Sequence, residues 1–145
     1  MITIRQNTFE TNSSSTHSLC ICSNKEYKEF MAGERLYNNS WVSSTSKFRA
    51  KNLVTIDELI DIYVHSTCSD TVKQNIVRYK GCKTVKECRK YDKKHKCDVT
   101  FDELTEDEFQ TFENFGGDYY ETFSEEYKTE SGDEIVVFGF YGYSG

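Results

Sequence analysis

The feature that most limits what this chain can become is one spacing used four times. Between residues 55 and 108 the pattern Thr-x-x-Glu recurs as Thr55 with Glu58, Thr84 with Glu87, Thr100 with Glu103 and Thr105 with Glu108. A threonine hydroxyl accepts the amide hydrogen three residues on, and the glutamate reaches back to the threonine amide, so each pair is a start signal for a helix. The first opens a stretch whose Ile56, Leu59, Ile60 and Tyr63 share one helical face. A second helix is expected near residues 70–80, with Val72, Ile76, Val77 and Tyr79 periodic and Gly81 as terminator. The box at Thr84 opens a basic helix toward His95. The last two boxes open one broken or two short acidic helices that end at Phe115-Gly116-Gly117.

The ends of the chain read differently. Ile2 and Ile4 alternate with polar residues over 1–9, a strand signal, and Leu19 to Cys22 is a second short strand. Between them, residues 10–18 are small and polar and read as a turn or loop. Asn24 can cap a helix through Met31, with Gly33 just past its end. Residues 38–46 read as a loop around Trp41. At the C-terminal end, 119–128 and 135–143 read as a hairpin, with Gly132 where its turn needs positive φ. The fold expected is α+β: an antiparallel sheet from N- and C-terminal strands with a central helical, zinc-stabilised insertion, in a single domain over 1–145. Residues 66–98 are the basic, cysteine-rich part of that insertion.

Charge is sorted along the sequence. The net formal charge of −6 hides −1 over 1–72, +8 over 73–97 and −13 over 98–145. The blocks can neutralise each other as solvated faces, or they can steer a charged partner. In the second case the basic block suits phosphates, and the acidic, aromatic third suits a basic nucleic-acid channel. Aromatic residues make up 14% of the chain, which argues for a packed fold rather than disorder. No apolar run approaches the roughly 18 residues of a membrane span. The first twenty residues carry no basic stretch followed by an apolar block, the pattern of a secretory signal.

Without such a signal, the six cysteines read as metal ligands or buried thiols rather than disulfides. Cys68, Cys82, Cys88 and Cys97 fall close together, interleaved with His65 and His95. Zinc takes four ligands in a tetrahedron, and thiolate and imidazole suit it. Four protein ligands leave no open position, so such a zinc would be structural. On a helix, Cys88, Asp92 and His95 share a face, so His95 or His65 can stand in for one cysteine. There is no Cys-x-x-Cys knuckle, however, and the same four can equally be core thiols. Cys20 and Cys22 would face one side of a strand and read as packing residues.

Catalysis has weaker support. Ser13-Ser14-Ser15-Thr16-His17-Ser18 sets hydroxyls beside a histidine, but these residue types equally bond to their own backbone in turns. Gly116-Gly117 lacks the Gly-Lys-Ser/Thr end of a phosphate loop. The chain therefore reads as non-enzymatic.

The stretch from Ile4 to Ser18, Ile-Arg-Gln-Asn-Thr-Phe-Glu-Thr-Asn-Ser-Ser-Ser-Thr-His-Ser, resembles the leader of a group of small phage and prophage proteins of Firmicutes. Val136 to Tyr143 resembles that group's C-terminal strand, while the middle is unmatched. With its cysteine-rich basic middle, the whole chain is similar to the type II-A anti-CRISPR proteins of streptococcal phages, zinc-containing inhibitors of Cas9. That resemblance implies an inhibitor that binds the recognition lobe of Cas9, prevents target DNA loading and works in the cytoplasm of the infected bacterial host. Phe109, Phe112, Tyr119, Tyr120 and Tyr127 are then the candidate partner-binding anchors. The alternative is a zinc-stabilised nucleic-acid-binding module using Lys73, Arg78, Lys80, Lys83, Lys86, Arg89, Lys90, Lys93, Lys94 and Lys96. The net acidic charge weighs against direct nucleic-acid binding.

Overall fold

The computed structural model describes residues 15–40, 42–106, 108–115 and 121–143, and these fall into two compact units. The expected strand over 1–9 and the loop centre at Trp41 lie outside the described residues. The fold is α+β with antiparallel sheets, as the sequence suggests. No helix among the described residues is long and apolar enough to cross a membrane.

The first unit joins residues 1–28 to 114–145. Its described strands are β1 (Ser15–Ser23), β5 (Glu121–Lys128) and β6 (Glu134–Tyr143), in the order β1-β6-β5. Both pairings are antiparallel, so the two ends of the chain do build one sheet. Strand β1 begins at Ser15, inside the stretch expected to be loop, because pairing Ser15 to Ser18 with Tyr143 to Phe140 satisfies backbone groups that a turn would otherwise bond locally. Gly132 closes the β5–β6 hairpin at φ 92°, as its position in the turn requires.

Residues directly opposite in an antiparallel ladder share a face. On one face Cys20 and Cys22 lie across from Phe138 and Val136. Phe138 packs there on Tyr27 at 5.3 Å and on Phe115 at 5.4 Å, and Phe140 meets Phe115 at 5.2 Å. Cys20 is buried at this seam, which matches its reading as a packing residue.

The second unit is residues 29–113. Helix α1 (Asn24–Met31) leads into it and stops where Gly33, at φ 82°, bonds back to Phe30. A small sheet follows, built from β2 (Arg35–Asn38), β3 (Leu53–Thr55) and β4 (Phe109–Gln110) in the order β3-β2-β4. Helices α2 (Ile56–Val64), α3 (Asp70–Ile76), α4 (Val85–His95) and α5 (Phe101–Thr105) pack with it, and a 3₁₀ turn at Val77–Tyr79 extends α3. Their buried faces meet in one cluster that includes Ile56, Leu59, Tyr63, Ile76, Tyr79, Cys88, Phe101 and Phe109. The serine-rich loop before β3 is tied to α2 by its hydroxyls: Ser44 Oγ donates to the Ile62 carbonyl at 3.0 Å and Ser46 Oγ to Asp61 at 2.5 Å.

Three of the four Thr-x-x-Glu pairs start helices, at Thr55, Thr84 and Thr100. The fourth does not, which corrects the expectation of acidic helix out to Phe115. Thr105 is buried and donates its hydroxyl to the Phe101 carbonyl at 2.9 Å, so the chain leaves the helix and enters β4. At Thr55 the box is complete, and Glu58 does more than cap. Its carboxylate takes the Thr55 amide at 2.9 Å, the Lys51 ammonium at 2.8 Å and the Arg35 guanidinium at 3.4 Å, tying β2, the loop and α2 together. Burial alone would raise its pKa, but Lys51, the Thr55 amide and Arg35 outweigh burial and hold it below the usual glutamate range. A lowered folded pKa contributes stability above the unfolded value of about 4.3, and that stability is lost as pH falls through the folded value. Glu58→Gln is therefore expected to cost about 1 kcal/mol at neutral pH. In pH-dependent thermal unfolding the variant should converge on the parent in acid; a gap independent of pH would contradict this role.

Candidate functional site

Helix α4 organises the charged middle of the chain. Thr84 caps it by accepting the Glu87 amide at 3.1 Å, while Glu87 takes the Lys83 amide at 2.8 Å. At the other end Lys96 adopts the left-handed conformation, φ 48°, and its amide returns to Asp92. Val85, Cys88 and Asp92 are buried along one side. Lys86, Arg89, Lys90, Lys93 and Lys94 are all exposed, with Arg89 flanking the buried side and the lysines spread beyond it. Of the remaining cations named from sequence, Arg78 is committed to structure, donating to the carbonyls of Asn75 and Val99.

Asp92 is the polar centre of the inner side, only 7% exposed. It accepts the Tyr79 hydroxyl at 2.5 Å and the Phe101 amide at 2.8 Å, which joins α4 to the 3₁₀ turn and caps α5. Burial, and then this bond to Asp92, raise the Tyr79 pKa, so the phenol stays a donor. The Cys97 amide donates to the Asp92 carbonyl at 3.1 Å; burial first, and then Asp92, raise the thiol's pKa.

The four cysteines expected to converge all lie in the second unit. Cys82 and Cys88 are near neighbours, and burial raises both pKa values. Cys97 lies next to Asp92. Cys68 lies 2.8 Å from Ser66 Oγ and 3.5 Å from the Tyr63 carbonyl, beside the core cluster. His65 bonds within the end of α2, its Nδ1 2.9 Å from the Asp61 carbonyl, and His95 stacks on Tyr91 at 4.2 Å between ring centres. Among the described residues no three His, Cys, Asp or Glu side chains come together in a way that would hold a metal ion. Cys88 belongs to the core cluster of the helical unit, with Cys68 and Cys82 packed against it.

The expected partner anchors also separate. Phe109 is 3% exposed and packs on Tyr63 at 5.4 Å, so it belongs to the core and offers no surface to a partner. Phe112 is 42% exposed, edge-on to Phe30 at 5.5 Å. Tyr127 is half-buried on β5 with its hydroxyl bonded to Glu125. Tyr119 and Tyr120 lie outside the described residues. His17 falls in β1, opposite Tyr141 in the register.

Two features escaped the sequence reading. On the sheet face away from Phe138, Leu19 and Ile21 are 40% and 52% exposed, and the register aligns them with Gly139 and Val137 and then with Phe123 and Glu125. Tyr127 shares that face, across from Ile135. In the second unit, an open cleft of about 410 Å³ has Phe30, Met31 and Phe112 on one side and Val85, Lys86 and Arg89 of α4 on the other. Alternation in β1 hints at the first; nothing local hints at the second.

Comparison with known proteins finds no family model that matches the chain and no significant match among curated proteins or solved structures.

Elemental analysis of purified protein tests the structural zinc expected from the sequence: about one equivalent is expected, with a loss of several kcal/mol on chelation. Less than about half an equivalent, with no shift in thermal unfolding with chelator, would return the thiols to core packing.

Proposed function

We propose that this protein is a non-enzymatic, phage-encoded anti-CRISPR inhibitor that binds Cas9 and keeps target DNA from loading. The identity of the partner comes from the resemblance of the whole chain, with its cysteine-rich basic middle, to the anti-CRISPR proteins. The observation that supports a binding role is the mixed sheet face of the first unit: exposed Leu19 and Ile21 beside Tyr127 and Glu125. Exposed aliphatic side chains next to aromatic ones, with acids at the margin, are the composition of a protein-docking surface. The acids continue around it, with Glu126, Glu130, Asp133 and Glu134 exposed on β5, β6 and their turn. Cas9 holds its heteroduplex in a positively charged channel, so an acidic hairpin is drawn to the surfaces that nucleic acid would use. Binding at the recognition lobe would then exclude DNA by occupancy.

A structural zinc belongs to the same resemblance; the reading offered here does not depend on it. Nor does it need a turnover step, because occupancy alone blocks loading.

Pull-down of Cas9 across a salt series tests the proposal. A complex is expected at physiological ionic strength, weakening as salt rises. Ile21→Glu should cut binding at least about tenfold by charging the centre of the patch, and Glu125→Lys with Glu126→Lys should slow association. Absence of a complex at physiological salt would remove the proposal.

A further inference from the structure

The cleft on the second unit does not enter that reading, and its chemistry points elsewhere. Its apolar side presents Phe112 and Met31, 42% and 47% exposed, with Phe30 buried behind. The opposite side is the start of α4, where Lys86 and Arg89 reach the rim. From there the cations continue along the exposed arc of the helix as Lys90, Lys93 and Lys94, rising about 1.5 Å per residue. Three acids border the surface, with Glu113 in the cleft wall. Asp102 pairs with Arg89 at 3.1 Å, with both side chains about half exposed, so the pair is easily exchanged. Glu87 is held by the Lys83 amide.

We infer that this cleft and the cationic arc of α4 form a binding site for single-stranded nucleic acid, with an unpaired base against Phe112 and phosphates along Lys86 to Lys94. An aromatic platform at the end of a positive track is the arrangement that takes single strands, since every base has a face to stack and the backbone follows the charge. A duplex hides those faces. Glu113 in the cleft wall separates this ligand from an acidic peptide. A carboxylate there repels an acidic side chain, but it accepts from the exocyclic amino group of cytosine or adenine. The site is thereby expected to favour those bases over thymine. This inference does not rest on the Cas9 proposal, and it uses other residues.

Fluorescence anisotropy of the full chain with short labelled oligo(dC), oligo(dA), oligo(dT) and a duplex of the same length is the test. Binding of the single strands is expected at low salt, with oligo(dC) and oligo(dA) ahead of oligo(dT). Phe112→Ala should weaken it on the order of tenfold, and Phe112→Trp should retain it. Replacing Lys90, Lys93 and Lys94 together by Gln should make the slope of log affinity against log salt shallower by about 2. Glu113→Gln should narrow the gap between oligo(dC) and oligo(dT). Circular dichroism of each variant shows whether a loss is one of fold. No binding at low salt would overturn the inference. So would equal duplex binding that ignores Phe112→Ala, or equal affinity for poly-glutamate. Cas9 is absent from every arm, so these outcomes are independent of the pull-down.

Discussion

A single buried carboxylate sets the arrangement of the second unit. Asp92 receives the Tyr79 hydroxyl and the Phe101 amide on its carboxylate, and its carbonyl takes the Cys97 amide at 3.1 Å. Each donor comes from a different segment: the 3₁₀ turn after α3, the start of α5 and the turn beyond α4. Leaving a buried donor without its acceptor costs about 1–3 kcal/mol, so the three segments are bound to one orientation of α4. With Asp92, Cys88 and Val85 turned inward, the lysines and Arg89 have no direction left but outward. The cationic arc is thus a consequence of the core rather than a separate design, and the cleft beside it exists because α4 begins against Gly33, whose carbonyl accepts the Val85 amide at 2.9 Å.

The same constraint explains the thiols. Cys88 lies within the core cluster, Cys68 and Cys82 pack against it, and Cys68 sits 2.8 Å from Ser66 Oγ. Burial raises the pKa of Cys82, Cys88 and Cys97, and of Tyr63 and Tyr79 also, so the fold favours neutral thiols and phenols.

How much of this could be read beforehand depended on range. Caps at Thr55, Thr84 and Thr100 act within one turn and were legible, as was the positive φ at Gly132. Thr105 carries the same local pattern, but its hydroxyl went to Phe101 O, a choice made by tertiary burial. Strands β2, β3 and β4 are too short for an alternation to register. Cysteine spacing limits how far each thiol can reach, and says nothing of where it points. The cleft joins residues around 31, 86 and 112, so no window of sequence contains it. Asp92 was noticed only as a neighbour of Cys88, because a lone aspartate on a basic helix looks like a surface residue until its partners are in place.

The claim that Asp92 governs this unit is best tested by a double-mutant cycle in denaturant with Tyr79→Phe. Asp92→Ala is predicted to lose about 3 kcal/mol, and Tyr79→Phe is predicted to cost almost nothing further once Asp92 is gone. Additive effects, or an Asp92→Ala loss within about 0.5 kcal/mol of zero, would contradict the account.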